Sequence, residues 1–183
     1  KGYNPGSGRN NSPFFTLYTE VNGKKDLRLL EGPVPFYEYE GASGAVATNH
    51  GLPRFNDVSF EAAYPFGQVI MNSSQCPLGV RMKVFNPLIP GEQDNSGIPI
   101  AVIDYVLSNN TDKEVKFSIC GNIQNFIGED GTSGKAKNNR NLFRETTVLK
   151  GIYMFSDSVD RNTDQWGTIA LSTPAEGNIS YRT

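Results

Sequence analysis

The sequence predicts an all-β fold, an antiparallel β-sandwich of two packed sheets. Apolar residues recur at every second position in several short runs, and Gly, Pro and Asn separate these runs. No long window shows the three- and four-residue apolar spacing of a capped amphipathic helix. Short alternating strands bounded by turn residues are typical of sandwiches, and no composition shift marks a second domain. We therefore expect one sandwich domain over residues 1–183.

The first two strands are predicted at residues 14–21 and 26–32, which read FFTLYTEV and DLRLLEG. The connection contains Asn22 and Gly23, two residue types that tolerate positive φ. An Asn-Gly pair between two such runs predicts a β-hairpin.

Proline and glycine divide the middle of the chain into further strands. Pro65 and Gly67 are expected to turn the chain into a strand that begins near Gln68, and Pro77 to open the alternating strand at 79–85. Later strands are predicted at 100–107, 115–123, 147–155, 167–172 and 178–182. The run at 100–107 is apolar on both faces except at Asp104, which predicts a central strand. The least structured segments are predicted at 1–12, 40–57, 91–97 and 128–145.

Charge and hydropathy exclude two classes of partner. Lys and Arg total 17 and Asp and Glu total 19, so the net charge is −2 and the pI about 5.5. Phosphate recognition needs clustered positive charge, which the sequence lacks. No apolar run approaches the roughly 20 residues that cross a bilayer. We expect a soluble protein that binds no nucleic acid and does not span a membrane; its compartment stays open, with secreted and periplasmic locations both compatible.

The two cysteines, Cys76 and Cys120, are far apart and lack metal-type spacing. They could form one disulfide, be two buried thiols, or never meet. We expect core thiols, because unpaired Cys behaves as a small apolar residue.

His50 is the one histidine, and it lies in the loop-like stretch TNHGLPRF. Any Ser-His-Asp or Cys-His arrangement would have to use it, but no serine elbow lies nearby. We interpret His50 as a loop residue. Metal sites that need two or more histidines are excluded.

Two loops resemble ligand sites without matching them. In GEDGTSGKA a phosphate-binding loop would need Gly at Glu129 and Ser or Thr at Ala136. Asp157, Asp160 and Asp164 do not follow the order of calcium ligands in an EF-hand, so a solvated turn is favoured over a loose calcium site. The sequence predicts no cofactor and no metal.

A glycosidase needs two carboxyl groups, about 5 Å apart in retaining enzymes and about 6.5–9.5 Å apart in inverting enzymes. The candidates are Asp57, Glu61, Asp104 and Glu129, but sequence spacing brings no two together. Asp104 interrupts a run that we expect to be buried, so it must be paired or hydrogen-bonded. We expect it to pair with Arg81 or Lys83 on a neighbouring strand rather than to act in catalysis.

Trp166 is the best candidate for a ligand contact. It stands at the start of a predicted strand, and an exposed indole ring can stack on the apolar face of a sugar. The alternative is that Trp166 belongs to the core with most other aromatic residues. No catalytic residue is predicted.

The middle of the chain resembles the amino-terminal region of glycoside hydrolase family 116, which contains non-lysosomal glucosylceramidases and related microbial β-glucosidases. The resemblance runs from about Phe60 to Gly128 and rests on three motifs: Tyr64-Pro65-Phe66-Gly67, Pro77-Leu78-Gly79-Val80, and Phe85-Asn86-Pro87-Leu88-Ile89-Pro90-Gly91. A later block continues it with Ser96, Ile98-Pro99, Ala101-Val102, Tyr105, Asn109, Gly121-Asn122 and Asn125.

This resemblance implies a galactose-mutarotase-like supersandwich in front of an (α/α)6 barrel that carries the nucleophilic Glu and the acid/base Asp. Neither carboxylate can be carried over to this chain, and the resemblance does not extend to the loops at 43–55 and 128–141. If the family sandwich is longer than this chain, an edge strand is left without its neighbour.

Two functions from different classes follow. The first is a non-catalytic sandwich that orients the catalytic barrel of a retaining β-glucosidase acting on a glucoside or glycolipid, with a contribution to the rim of the sugar site. The second is a stand-alone carbohydrate-binding or cell-surface module. A small hydrolase complete in itself is the weakest alternative, because no catalytic pair is visible.

Overall fold

The structure is a computed structural model that describes residues 13–34, 51–129 and 134–183. Its regular secondary structure is almost entirely β, as the alternation predicts. The elements are β1 (Phe14–Val21), β2 (Lys24–Leu29), β3 (Asp57–Ala63), β4 (Phe66–Asn72), β5 (Leu78–Phe85), α1 (Gln93–Ser96), β6 (Val102–Asn109), β7 (Lys116–Asn122), β8 (Asn139–Glu145), β9 (Lys150–Ser156) and β10 (Ile169–Thr173).

These strands form three sheets. The strand orders are β2-β1-β7, β3-β4-β5-β6 and β10-β9-β8. The chain divides into two compact units, the first being Phe14–Cys120 and the second containing Gly121–Thr183. The first unit holds the four-stranded sheet together with β1, β2 and most of β7.

The hairpin predicted at Asn22-Gly23 is present. Asn22 has φ 50° and Gly23 has φ 79°, so both lie in the left-handed region that a two-residue hairpin turn requires. Val21 pairs with Lys24, and the antiparallel register continues to Thr16 and Leu29.

The core of the first unit lies between its two sheets. Leu17 of β1, Met71 of β4 and Val80 of β5 belong to one buried cluster, and each is at most 2% exposed. Ile119 of β7 and Tyr105 of β6 pack against the same cluster. Because one core draws side chains from both sheets, the sheets pack face to face as a sandwich. The predicted sandwich architecture is confirmed here.

Strand β5 shows how the alternating sequence produces this packing. Leu78 and Val80 are buried, whereas Arg81 and Lys83 are exposed on the opposite face. The alternation from Leu78 to Lys83 therefore fixes which face of the four-stranded sheet is the inner face and which is the outer face.

The second unit is built on β8, β9 and β10, with antiparallel pairing throughout. Met154 of β9 and Ile127 are buried, at 1% and 4% exposure. The rings of Phe143 and Tyr181 stack in parallel with their centroids 4.0 Å apart, which places the C-terminal segment over the sheet.

The prediction that residues 100–107 form a central strand is wrong for the part of the chain that the structure describes, where β6 lies at the edge of its sheet. Asp104 is exposed rather than buried. The apolar composition of β6 instead leaves Ile103 and Val106 partly exposed, at 38% and 40%.

Some strand boundaries differ from the prediction where the alternation in the sequence is weak. Residues 178–182 form no strand, whereas β8 lies inside a segment expected to be a loop, and β3 begins in another such segment.

The two cysteines are not joined by a disulfide. Cys76 is a buried core thiol as expected, and its burial raises its pKa. Cys120 is exposed because its neighbour Ile119 faces the core and β7 side chains alternate.

The helical content of the described residues is limited to the four residues of α1, and no described helix has the length and apolar character to cross a membrane.

Candidate functional site

A groove on the outer face of the four-stranded sheet is a candidate site. Four polar residues occupy equivalent register positions on four adjacent strands. Glu61 pairs with Gln68, Gln68 with Lys83, and Lys83 with Asp104. Cross-strand partners project from the same face, so these side chains form one line across the sheet. We call Glu61, Gln68, Lys83 and Asp104 the polar row.

The hydrogen bonding of the polar row is incomplete. The Gln68 amide Nε2 donates a hydrogen bond to Glu61 Oε2. The side chains of Lys83 and Asp104 have no hydrogen-bond or ion-pair partner among the described residues. Lys83 and Asp104 are directly opposed in register, with Cβ atoms about 5 Å apart, but their charged groups form no ion pair. The row therefore presents donors and acceptors to solvent.

A row of apolar residues runs beside the polar row on the same face of the sheet. Each of its members lies two residues from the polar residue on the same strand, toward the β3–β4 turn. Phe66 pairs with Ala63 on one side and with Phe85 on the other, and Phe85 pairs with Val102. The two phenyl centroids are 5.7 Å apart and the rings are tilted by 53°. Phe66 is 59% exposed. Two aromatic rings therefore form one wall of the groove.

The groove has a volume of about 490 Å³. Its lining combines the polar row with Ala63, Phe66 and Phe85 of the apolar row and with Ala62, Gly67 and Val84. Ligand sites typically enclose about 300–1,000 Å³ and combine apolar walls with a few polar groups, and the groove fits that description.

The carboxylates of this face are not placed as a glycosidase pair. Glu61 and Asp104 stand on β3 and β6, three strand spacings of about 4.8 Å and hence about 14 Å apart. Asp57 lies four residues from Glu61 along β3, or about 13 Å. Both separations exceed the roughly 5–9.5 Å that hydrolysis requires.

Trp166 lies in the second unit at the end of a turn. The residue is 42% exposed, and Arg161 Cζ lies 5.8 Å from the ring centroid. The Trp166 backbone N–H donates to the carbonyl oxygen of Thr163 at 3.1 Å. Trp166 is accessible, as stacking on a sugar requires. The Arg161 guanidinium, however, lies near the same indole ring.

The acidic loop has protein partners in the structure. Asp157 forms an ion pair with Arg140 at 2.9 Å, and Asp160 accepts a hydrogen bond from the Asn162 backbone N–H at 2.9 Å. Among the described residues, no three or more His, Cys, Asp or Glu side chains lie together in a group that could hold a metal ion. His50 and residues 130–133 of the GEDGTSGKA loop lie outside the described residues.

Sequence reasoning singled out Glu61 and Asp104 separately but missed the polar row. The signal for it was the period-two pattern of 79–85, which places Lys83 on the outer face. What was missing was the register of four strands, which depends on the turns between them.

Comparison with known proteins identifies one family. A family model described as "beta-glucosidase 2, glycosyl-hydrolase family 116 N-term" matches residues 7–183. A search of curated proteins gives no significant match.

Proposed function

Because the chain belongs to the family of N-terminal domains of glycosyl hydrolase family 116, we propose that it is the non-catalytic sandwich domain of a retaining β-glucosidase-like enzyme. It is a domain of a glycoside hydrolase. In this proposal it packs against the (α/α)6 catalytic domain of the same protein and orients it. The enzyme as a whole would cleave a glucoside or glycolipid, and bond cleavage would belong to the catalytic domain.

The observation that carries the proposal is an exposed apolar surface at one end of the four-stranded sheet. The β3–β4 turn and the β5–β6 connection both lie at this end. Their apolar side chains, with the neighbouring inner-face residues, are exposed by 37–85%: Phe60, Tyr64, Leu88, Ile89, Ile98, Ile100 and Ile103. We call these seven residues the apolar end. A concentration of exposed large apolar side chains at one end of a domain is typical of a contact with another protein surface.

The connection that carries four of these residues is held in a defined conformation. Ser96 Oγ donates to the carbonyl oxygen of Ile89 and accepts from the Ile89 backbone N–H, each at 3.0 Å. The Ile100 backbone N–H donates to the Ile98 carbonyl at 2.8 Å. A connection pinned in this way presents its isoleucines without a large ordering cost on docking, which supports a permanent contact.

The arrangement of acidic residues agrees with a non-catalytic role. Glu61 and Asp104 are about 14 Å apart across the sheet, too far for either glycosidase geometry. A retaining enzyme needs a nucleophile and an acid/base residue about 5 Å apart, and we assign both to the catalytic domain.

Hydrolysis of a chromogenic β-glucoside tests whether bond cleavage belongs to the catalytic domain alone. We expect no turnover by the 183-residue chain and clear turnover by the longer protein that includes the catalytic domain. Turnover by the isolated chain above the buffer rate would overturn the proposal.

Substitutions in the apolar end test the docking role. In the longer protein, Tyr64→Asp and Ile98→Asp should each lower the melting temperature and the hydrolytic activity, because each would bury an unpaired charge in the interface. Val148→Asp is the matched control, since Val148 is also apolar and 70% exposed but lies on the β8–β9 turn. Equal effects of all three substitutions, or no effect of any, would contradict docking through the apolar end.

The stand-alone carbohydrate-binding or cell-surface module is a second candidate, favoured by the accessible Trp166 ring. It predicts binding on a glycan array that disappears in Trp166→Ala, in a chain with no catalytic domain attached. Binding unaffected by Trp166→Ala would remove this candidate's main support.

A further inference from the structure

We propose that the groove on the outer face of the four-stranded sheet binds a neutral saccharide of about two pyranose units. The groove borders the apolar end, because Val84 of its lining pairs with Ile103, but its polar row lies on the outer face of the sheet. Saccharide binding there does not require a catalytic domain, so the proposal goes beyond the proposed function. It rests on the polar row, on the aromatic wall beside it and on the size of the groove.

The chemistry of the polar row points to a polyhydroxylated ligand. Glu61 and Asp104 offer acceptor oxygens, and Lys83 offers three donors. A sugar hydroxyl donates one hydrogen bond and can accept two, so neighbouring hydroxyls can bridge a carboxylate and an ammonium. Lys83 and Asp104 are directly opposed in register and have no side-chain partner among the described residues, so both can bond a ligand.

The charge of the row argues against anionic ligands. Two carboxylates and one ammonium give the four residues a net charge of about −1, and a phosphate would meet repulsion from Glu61 and Asp104. A neutral sugar avoids this repulsion while still receiving charge-assisted hydrogen bonds, which are stronger than neutral ones.

The aromatic wall supplies the second half of a sugar site. Phe66 and Phe85 lie two residues from Gln68 and Lys83 on the same face of the sheet. The centroids of the two phenyl rings are 5.7 Å apart. The exposed face of Phe66 can pack against the C–H face of a pyranose while the ring's hydroxyls reach the polar row. The groove of about 490 Å³ accommodates a disaccharide.

Chemical-shift titration of the 183-residue chain tests the proposal directly. The probes are cellobiose, maltose and, as a non-cyclic polyol control, sorbitol. We expect saturable amide shifts for one or both disaccharides at Glu61, Gln68, Lys83 and Asp104, and none with sorbitol. Shifts that appear only around Trp166, no saturable shifts, or equal shifts with sorbitol would overturn the proposal.

Variants of exposed residues identify the contacts without threatening the fold. Lys83→Met and Asp104→Asn should each raise the dissociation constant roughly tenfold, the effect of losing one charge-assisted hydrogen bond. Lys116→Met is the matched control, because Lys116 is an exposed strand lysine in the other sheet of the first unit, and it should leave the constant unchanged. An unchanged constant in both groove variants would overturn the assignment.

The aromatic wall has its own pair of variants. Phe66→Ala should weaken binding, and Phe66→Trp should retain it, because the indole preserves the stacking surface. Tyr64→Asp should leave saccharide binding intact. If Tyr64→Asp disturbs docking to the catalytic domain but retains saccharide binding, the two proposals are independent. The same conclusion follows if Lys83→Met weakens saccharide binding but leaves docking intact.

Discussion

At the residue scale, Tyr105 is the clearest case of a side chain whose environment changes its chemistry. Its ring packs against the core cluster and against Phe15, with centroids 5.7 Å apart. Its hydroxyl is buried and has no hydrogen-bond partner among the described residues. Burial raises the pKa of Tyr105 from 10.0 to about 12. Packing of the ring therefore stabilises the fold, whereas burial of the unpartnered hydroxyl destabilises it.

Tyr105→Phe tests this interpretation through the pH dependence of stability. Below pH 10 the phenol is protonated in the folded and unfolded states alike; between pH 10 and about 12 the unfolded chain loses the proton first, so stability falls as pH rises. The variant should show a smaller alkaline loss and an unchanged or higher free energy of unfolding at pH 7. Urea unfolding at pH 7 and pH 11 measures both. A loss of more than about 1 kcal/mol at pH 7 would mean that the hydroxyl has a partner.

Gly128 is a second position where we expect a small change, the addition of a Cβ atom, to lower the free energy of unfolding. Its φ is +92°, and a Cβ there would lie 2.7 Å from the Lys135 carbonyl oxygen and 3.0 Å from Val159 Cγ2. We expect Gly128→Ala to lower the free energy of unfolding by about 2 kcal/mol, from the left-handed backbone and the close approach together. Gly177→Ala is the control, because no atom lies within 4 Å of its added Cβ. Equal stability of the two variants in urea would contradict this.

Individual site residues were only partly predictable from the sequence. Trp166 was the best candidate for an exposed aromatic ring, with a place in the core as the alternative, and it is 42% exposed. Asp104 was expected to be buried because its neighbours are apolar, yet it is exposed. A sequence gives the hydrophobicity of both faces of a strand but not whether another layer covers them.

At the element scale, strand β8 explains why the second unit was harder to predict. Its sequence NRNLFRE is mostly polar, and the pattern predicted a loop. Tertiary hydrogen bonds define the strand instead. Asn139 Nδ2 donates to the carbonyl oxygens of Asn125 and Ile127 at 3.0 Å each, and Asn125 Nδ2 donates to the Phe155 carbonyl at 3.2 Å. By contrast, β1, β5 and their turns were predicted within one residue, because their alternation and turn residues agree.

The amide contacts at β8 give a prediction for that strand. Asn125→Ala and Asn139→Ala should each accelerate hydrogen exchange of the β8 amides, since each leaves partly buried backbone carbonyls without their side-chain donor. Asn178→Ala is the control, because Asn178 is exposed. Hydrogen exchange measured by mass spectrometry decides the matter, and unchanged exchange in both variants would show that strand pairing alone holds β8.

At the scale of the whole molecule, family membership and composition were accessible from the sequence, and surface organisation was not. The motifs from Tyr64 to Gly91 identified the family because they combine specific turn residues in a fixed order. The apolar end draws on the same segments, but the sequence did not reveal that Tyr64 and Ile98 are exposed at one end of a sheet. Exposure depends on which layers are present, and that is a property of the assembled fold.

The apolar end makes a prediction about the chain on its own. It should bind the hydrophobic dye ANS, and Tyr64→Ser with Ile98→Ser should reduce the fluorescence, because the two side chains are 85% and 47% exposed. Val148→Ser provides the comparison, as its residue is 70% exposed outside the apolar end. Equal reductions would indicate scattered dye binding rather than one surface.

The register of β4 has a further consequence for how this domain tolerates length changes. Gln68 and Phe66 face outward, and Val69 and Met71 face the core, because the β3–β4 hairpin closes by pairing Ala63 with Phe66. Removing a single residue from that hairpin would exchange the two sides of the strand, turning glutamine inward and valine outward. Natural variants of this segment should therefore differ by substitution or by paired insertions, and a one-residue gap between positions 63 and 66 should be absent from folded members.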